Sequence, residues 1–136
     1  SKSFYVFGGA GYRFLYDRGD GSGFYTRTGN WVFLPLGGVF KYGKMSLDLE
    51  YDLIVYGRFR SNLSEAVSEY SDLVHTQKGY GLLLTAGYQF NTSWGLYAAY
   101  ELWDLDETEP ETTANASFVE PKNNSQSFEL KIGYSF

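Results

Sequence analysis

The sequence predicts an all-β protein, an antiparallel up-and-down transmembrane β-barrel with six strands visible in the chain, and three observations predict it. Apolar and polar residues alternate with a period of two in six segments. Aromatic residues make up 20% of the 136 positions, 13 Tyr and 11 Phe among them. The connections between segments alternate between short and long. A transmembrane barrel needs all three, with aromatic girdles at both interfaces, short turns at one rim and longer loops at the other. The length suits one domain over residues 1–136.

The first strand runs from Phe4 to Tyr16 and sets Phe4, Val6, Tyr12 and Phe14 opposite Tyr5, Phe7 and Arg13, with the Arg13 face inward. The second sets Val32, Leu34, Leu36, Phe40 and Tyr42 outward and Trp31, Phe33, Pro35, Val39 and Lys41 inward. Pro35 has no N–H, so it belongs at an edge, a bulge or a missing rung. The third sets Leu47, Leu49, Tyr51, Leu53 and Val55 against Asp48, Glu50, Asp52, Ile54 and Tyr56, and Arg58 and Arg60 are expected to continue the polar face. The fourth alternates Tyr80, Leu82, Leu84, Ala86, Tyr88 and Phe90 with Gly81, Leu83, Thr85, Gly87 and Gln89. The fifth sets Trp94, Leu96, Ala98, Tyr100 and Leu102 against Gly95, Tyr97, Ala99, Glu101 and Trp103. In the last, Phe128, Leu130, Ile132, Tyr134 and Phe136 alternate with Glu129, Lys131, Gly133 and Ser135 without an exception.

Tyr42 to Met45 and Asn91 to Ser93 read as tight turns, Ser61 to Gln77 and Leu105 to Asn124 as long polar loops, and Asp17 to Gly29 as an intermediate connection. All the long connections then fall at one end. Six strands about 4.8 Å apart and tilted by about 40° would close on a radius of only about 6 Å, too narrow for the large inward side chains. The six are therefore expected to be part of a barrel of eight or more strands. The opening residues Ser1-Lys2-Ser3-Phe4 already enter a strand pattern, so either a leader has been removed or a longer chain precedes them.

The chain has no cysteine, which excludes disulfides, thiolate metal sites and cysteine nucleophiles. The formal charge of −5 and the scattered Lys and Arg argue against a nucleic-acid partner. Gly8-Gly9 and Gly37-Gly38 lie inside strands and do not lead into helices, so they are not phosphate loops. No cofactor or metal motif is present, and none is expected.

The final strand, Phe128-Glu-Leu-Lys-Ile-Gly-Tyr-Ser-Phe136, resembles the C-terminal assembly signal of Gram-negative outer-membrane β-barrel proteins. Glu120-Pro121-Lys122-Asn123-Asn124 and Leu49-Glu50-Tyr51-Asp52-Leu53 look like stretches of small omptin-like or porin-like surface barrels. The resemblance implies residence in the cell outer membrane, contact with its lipid and lipopolysaccharide, and recognition by the barrel-assembly machinery through Phe128, Leu130, Ile132, Tyr134 and Phe136.

The strongest constellation is the inward charge. Asp48, Glu50, Asp52, Glu101 and Glu129 are expected to meet Arg13, Lys41, Arg58, Arg60 and Lys131 in a lumen network, because isolated buried charge costs several kcal/mol. A salt-bridged plug is favoured over a selective pore. Glu65, Glu69, Asp72, Asp106, Glu107, Glu109, Glu111 and Glu120 form an acidic set on the outer loops, where a protein partner is expected. The sole histidine, His75, reads as a solvated loop residue near Glu69 and Asp72. Omptin-type proteases use a His–Asp couple, but no motif here matches theirs residue by residue. The expected function is that of a structural or surface-interaction barrel, with a small porin as the alternative and an omptin-like surface hydrolase third.

Overall fold

The computed structural model describes residues 1–21, 23–114 and 116–134. Its frame is one antiparallel sheet with up-and-down order. The first strand is built in two halves, β1 (Lys2–Gly8) and β2 (Gly11–Arg18), which pair with opposite ends of β3 (Thr26–Tyr42). Next come β4 (Met45–Ser61), a fourth strand again in two halves, β5 (Leu73–Thr76) and β6 (Gly79–Gln89), then β7 (Trp94–Leu105) and finally β10 (Asn123–Tyr134). Between the last two lies a small separate hairpin, β8 (Glu111–Thr113) with β9 (Ala116–Phe118). Among the described residues β10 does not pair with β1 or β2, so the six-strand sheet is open at both edges.

Each break has a local cause. β1 and β2 part at Gly9 and Ala10, opposite Pro35. The Pro35 carbonyl accepts the Gly9 N–H at 3.1 Å, but the return rung needs an N–H that proline lacks. Of the edge, bulge or missing rung that the sequence allows for Pro35, the structure takes the missing rung. β5 and β6 part at Gln77 and Lys78, beside a bulge in β4. There Val32 pairs with Tyr56 while Phe33 pairs with Ile54, which leaves Val55 as the extra residue. After the break the chain restarts at Gly79, whose φ of +148° suits glycine and whose added Cβ would lie 2.2 Å from the Asp104 carbonyl oxygen.

The bulge corrects one part of the sequence reading. An extra residue reverses the facing of everything beyond it, so Gly57, Phe59 and Ser61 turn to the concave side and Tyr56, Arg58 and Arg60 to the convex side. Period two alone carried Tyr56, Arg58 and Arg60 inward. Elsewhere the register places the alternating sets on the two faces as expected.

The core sits on the concave side toward the loop end and consists of Trp31, Ile54, Phe59, Trp103 and Leu105, with Phe33 packed against them. Trp31 is 1% exposed because Gly29 and Gly57 leave room for its indole. A Cβ at Gly57 would lie 2.0 Å from the Gln77 carbonyl oxygen and 2.8 Å from Trp31 Cδ1. Gly57→Ala is therefore expected to destabilise the fold by about 1–3 kcal/mol, the usual cost of overpacking a tight site. Gly9→Ala, whose Cβ would sit in ordinary contact 3.6 Å from Pro35 Cγ, should stay within about 0.5 kcal/mol. Urea unfolding followed by tryptophan fluorescence checks the pair.

Candidate functional site

The concave face divides into two halves. Toward the loop end, Arg13 crosses the concavity from the first strand to the fifth. Its guanidinium stands 4.4 Å from the Trp103 ring centroid and 3.6 Å from Glu101 Oε1. Trp103 Nε1–H donates to the same Glu101 oxygen, and Phe33 meets Trp103 edge-on at 5.3 Å. Because β3, β4 and β6 lie between these residues along the sheet, the contact requires strong curling. A guanidinium can close such a gap because it stacks on an aromatic face while its N–H groups stay directed at a carboxylate.

Above this layer the long connections fold down instead of standing in solvent. Leu63 to Glu65 form a short 3-10 turn, and Leu63 and Leu73 are buried. Glu120 is the main tie. Its Oε1 accepts the Ser61 hydroxyl at 2.6 Å, its Oε2 lies 3.6 Å from Arg27, and its backbone exchanges hydrogen bonds with Thr108. Thr113 Oγ1 accepts the Ser71 N–H at 2.7 Å, Gln77 donates to the Asp106 carbonyl at 3.1 Å, and Tyr70 packs edge-on against Phe118. Buried Ser61, Thr108, Thr113 and Glu120 are thus paired across two loops, while the Asn62 and Gln77 side-chain oxygens are buried without a partner.

Several expected placements change here. His75 is 3% exposed and lies on β5 facing the concave side, with Nδ1 3.3 Å from the Glu109 carbonyl oxygen, so it is not a solvated loop residue. The pairing of β5 with β4 past the bulge carries it inward. Asp72 turns away from His75, accepting from the Ser64 hydroxyl at 2.6 Å and from Arg60 at 2.9 Å. Glu120 leaves the exposed acidic set for the buried tie, whereas Glu69, Asp106, Glu107, Glu109 and Glu111 are exposed. Nothing in the sequence marks Ser61, Thr108 or Thr113 as buried polar partners, since hydroxyl residues in a loop read as solvated. The apolar Leu63 and Leu73 within a polar stretch are the one available signal.

Toward the turn end the concave face is acidic. Lys131 pairs with Glu129 at 2.5 Å, and Lys41 Nζ lies over the Tyr5 ring at 5.7 Å. The expected network is therefore realised as Arg13 with Glu101 and Lys131 with Glu129. Arg58 and Arg60 are absent from it because they lie on the convex side. Asp48, Glu50 and Asp52 share the concave face of β4, and among the described residues none of them forms an ion pair. No group of three or more potential metal-ligating side chains is gathered among the described residues. Phe136 lies outside the described residues. Phe128, Leu130, Ile132 and Tyr134 all stand exposed on the convex side.

The comparisons with known proteins are negative: no protein-family model matches the chain, and no curated protein matches it significantly.

Two outcomes follow from the cap. Glu120→Ala should strand the buried Ser61 hydroxyl and leave Arg27 with Asp17 alone, at a cost of about 1–3 kcal/mol, and expose both loops to limited proteolysis while the strands stay protected. The second concerns acid. Hydrogen bonds from the Thr26 side chain and backbone N–H, and then from Asn62, hold the Glu65 carboxyl below its ordinary value, and Ser64 and Arg60 do the same for Asp72. Groups whose folded pKa is depressed stabilise the fold above their unfolded values, about 3.9 for Asp and 4.3 for Glu, and lose that contribution as pH falls through the folded values. Loop protection at residues 62–72, read by hydrogen exchange, should be level above about pH 5 and weaken below about pH 4. Glu65→Gln should flatten part of that dependence.

Proposed function

We propose that the chain forms an integral β-barrel of the Gram-negative outer membrane, with lipid on its convex face and an interior plugged at the loop end. It acts there as a structural or surface-interaction protein. The observation that carries this reading is the convex face itself. Val6 is 75%, Leu130 68% and Ile132 72% exposed, and Leu36, Leu47, Leu49, Leu82, Leu84 and Leu96 continue the apolar surface across the sheet. Water-soluble monomers rarely expose contiguous apolar patches beyond about a few hundred Å².

Aromatic residues bound this surface at both ends, with Tyr42, Tyr88, Phe90, Trp94 and Tyr134 toward the turns and Tyr12, Phe14, Tyr16 and Tyr56 toward the loops. Such girdles suit the two interfaces of a bilayer. β3 and β4, at 17 residues each, exceed the roughly 9–11 residues that cross a hydrocarbon core. Their surplus rises on the loop side, where outward Arg58 and Arg60 suit headgroup or lipopolysaccharide phosphates. The two open edges hold backbone groups that lipid cannot satisfy, so the reading includes further strands that bring the total to eight or more. The exposed loop carboxylates supply the surface for a protein partner.

Leu84→Arg and Leu130→Arg are expected to cost about 2–4 kcal/mol each in bilayers, whereas Ser127→Arg on the concave side should cost far less. Urea unfolding from vesicles measures this, and equal tolerance on both faces would remove the lipid-facing assignment. The same vesicles fused to a planar bilayer should carry no sustained ion current. A steady conductance would replace the plugged barrel with a pore.

A further inference from the structure

The connection between β2 and β3 carries charge that the fold does not use. β2 ends at Arg18, which pairs with Thr26, one rung beyond the last pairing of β3 with β4 at Arg27 and Ser61. The tip of this hairpin therefore stands at the loop rim. Arg18 and Asp20 are both exposed there, and among the described residues neither forms an ion pair. The adjacent Asp17, by contrast, is tied to Arg27 at 2.8 Å. Arg18 acts on Glu65 only at a distance, as the last of several causes that hold that carboxyl below its ordinary value. Between the two free charges lies Gly19, where an added Cβ would fall 2.0 Å from Phe24 Cδ1 and 2.5 Å from Phe24 Cγ. The Phe24 ring thus lies against the middle of the Arg18-Gly19-Asp20 triplet, in space that any Cβ would occupy.

We propose that Arg18-Gly19-Asp20 docks a protein receptor whose recognition surface sets a carboxylate-lined pocket beside a bound divalent cation, the chemistry of the integrin class. The pocket takes the guanidinium through paired N–H donors, and the cation takes the carboxylate as an oxygen ligand. Both side chains must be free for this, and both are. Residues i and i+2 of an extended chain are at most about 7 Å apart, so one receptor surface spans the two. The glycine between them has no side chain to hold the receptor off the backbone. Because Phe24 already rests on the centre of the triplet, part of the ordering that binding requires precedes the encounter. The exposed carboxylates Glu107, Glu109 and Glu111 on the other long connection have no cation among them and offer nothing to an acidic pocket. The proposal names the partner for the surface-interaction role proposed above, and it takes from that reading only the outward position of the loop rim.

The test passes the full chain, folded in detergent micelles, over the immobilised ectodomain of the vitronectin-binding integrin in buffer with magnesium and manganese, read by surface plasmon resonance. Saturable binding is expected, with at least a tenfold loss in EDTA, in Asp20→Glu and in Arg18→Gln. The peptide Gly-Arg-Gly-Asp-Ser should displace the chain, and its counterpart Gly-Arg-Gly-Glu-Ser should not. Asp20→Glu keeps the charge of an exposed side chain and changes only its reach, so it should melt with the parent. Glu107→Gln, at an exposed carboxylate of another loop, should bind as the parent does. Absent binding, binding that survives EDTA, or undiminished binding by Asp20→Glu would overturn the proposal. This assay is independent of the convex face. Adhesion of intact bacteria displaying the chain to wells coated with the same ectodomain tests the outward rim, and should be lost in Asp20→Glu. Binding in micelles without adhesion of intact cells would overturn the outward rim and leave the docking triplet in place.

Discussion

At Val55, β4 carries one residue more than the neighbouring β3 can match, and much of the molecule is arranged around that mismatch. A bulge sharpens the local twist and bend of its strand, and here it lies beside the Gly29 and Gly57 floor on which Trp31 is packed. The added bend lets side chains of the first strand meet those of the fifth. It also reverses the facing of the strand's end, which brings Phe59 into the core and Ser61 beneath Glu120. Without the extra residue, Arg58 and Arg60 would occupy those inward places, two cations where the cap needs an aromatic ring and a hydroxyl.

The interior that results has two solutions to one problem. A curled six-strand sheet has little room, and every inward side chain must be packed, paired or wetted. At the loop end the answer is a dry core with one charge crossing it, the guanidinium of Arg13, held by Glu101 and by the face of Trp103. Arginine suits the position because its weakly hydrated, planar charge tolerates such a site better than an ammonium does. At the turn end Asp48, Glu50 and Asp52 of β4 share the concave face without an ion pair among the described residues, and Asp48 lines an open cleft together with Lys41 and Lys44.

The two ends of the sheet differ as much in their connections as in their interior. The turn rim is made by short local devices, as at Asn91, whose Oδ1 accepts the N–H groups of both Ser93 and Trp94 at 2.9 Å. The loop rim is a small tertiary structure in which Thr26 pairs with Glu65, Ser71 with Thr113, and Ser61 and Thr108 with Glu120, across the chain. In the proposed membrane setting the difference is functional, since a folded cap both closes the interior and presents a fixed acidic surface, while the tight turns leave the other mouth open.

Alternation along each strand, read from the sequence alone, determined the all-β class, the up-and-down order and the apolar convex set, because facing in a regular strand depends only on position modulo two. It also determined that Arg13 and Glu101 share the interior, since both lie on unbroken stretches of that count. Only the tertiary structure decided what happens after Val55: a bulge leaves no mark in an apolar run such as Leu53-Ile54-Val55-Tyr56, because any of the four is acceptable on either face. Tertiary structure likewise decided that His75 and Glu120 are buried. Their partners are 34 and 59 residues away, and no local pattern announces a hydrogen bond closed over such a separation.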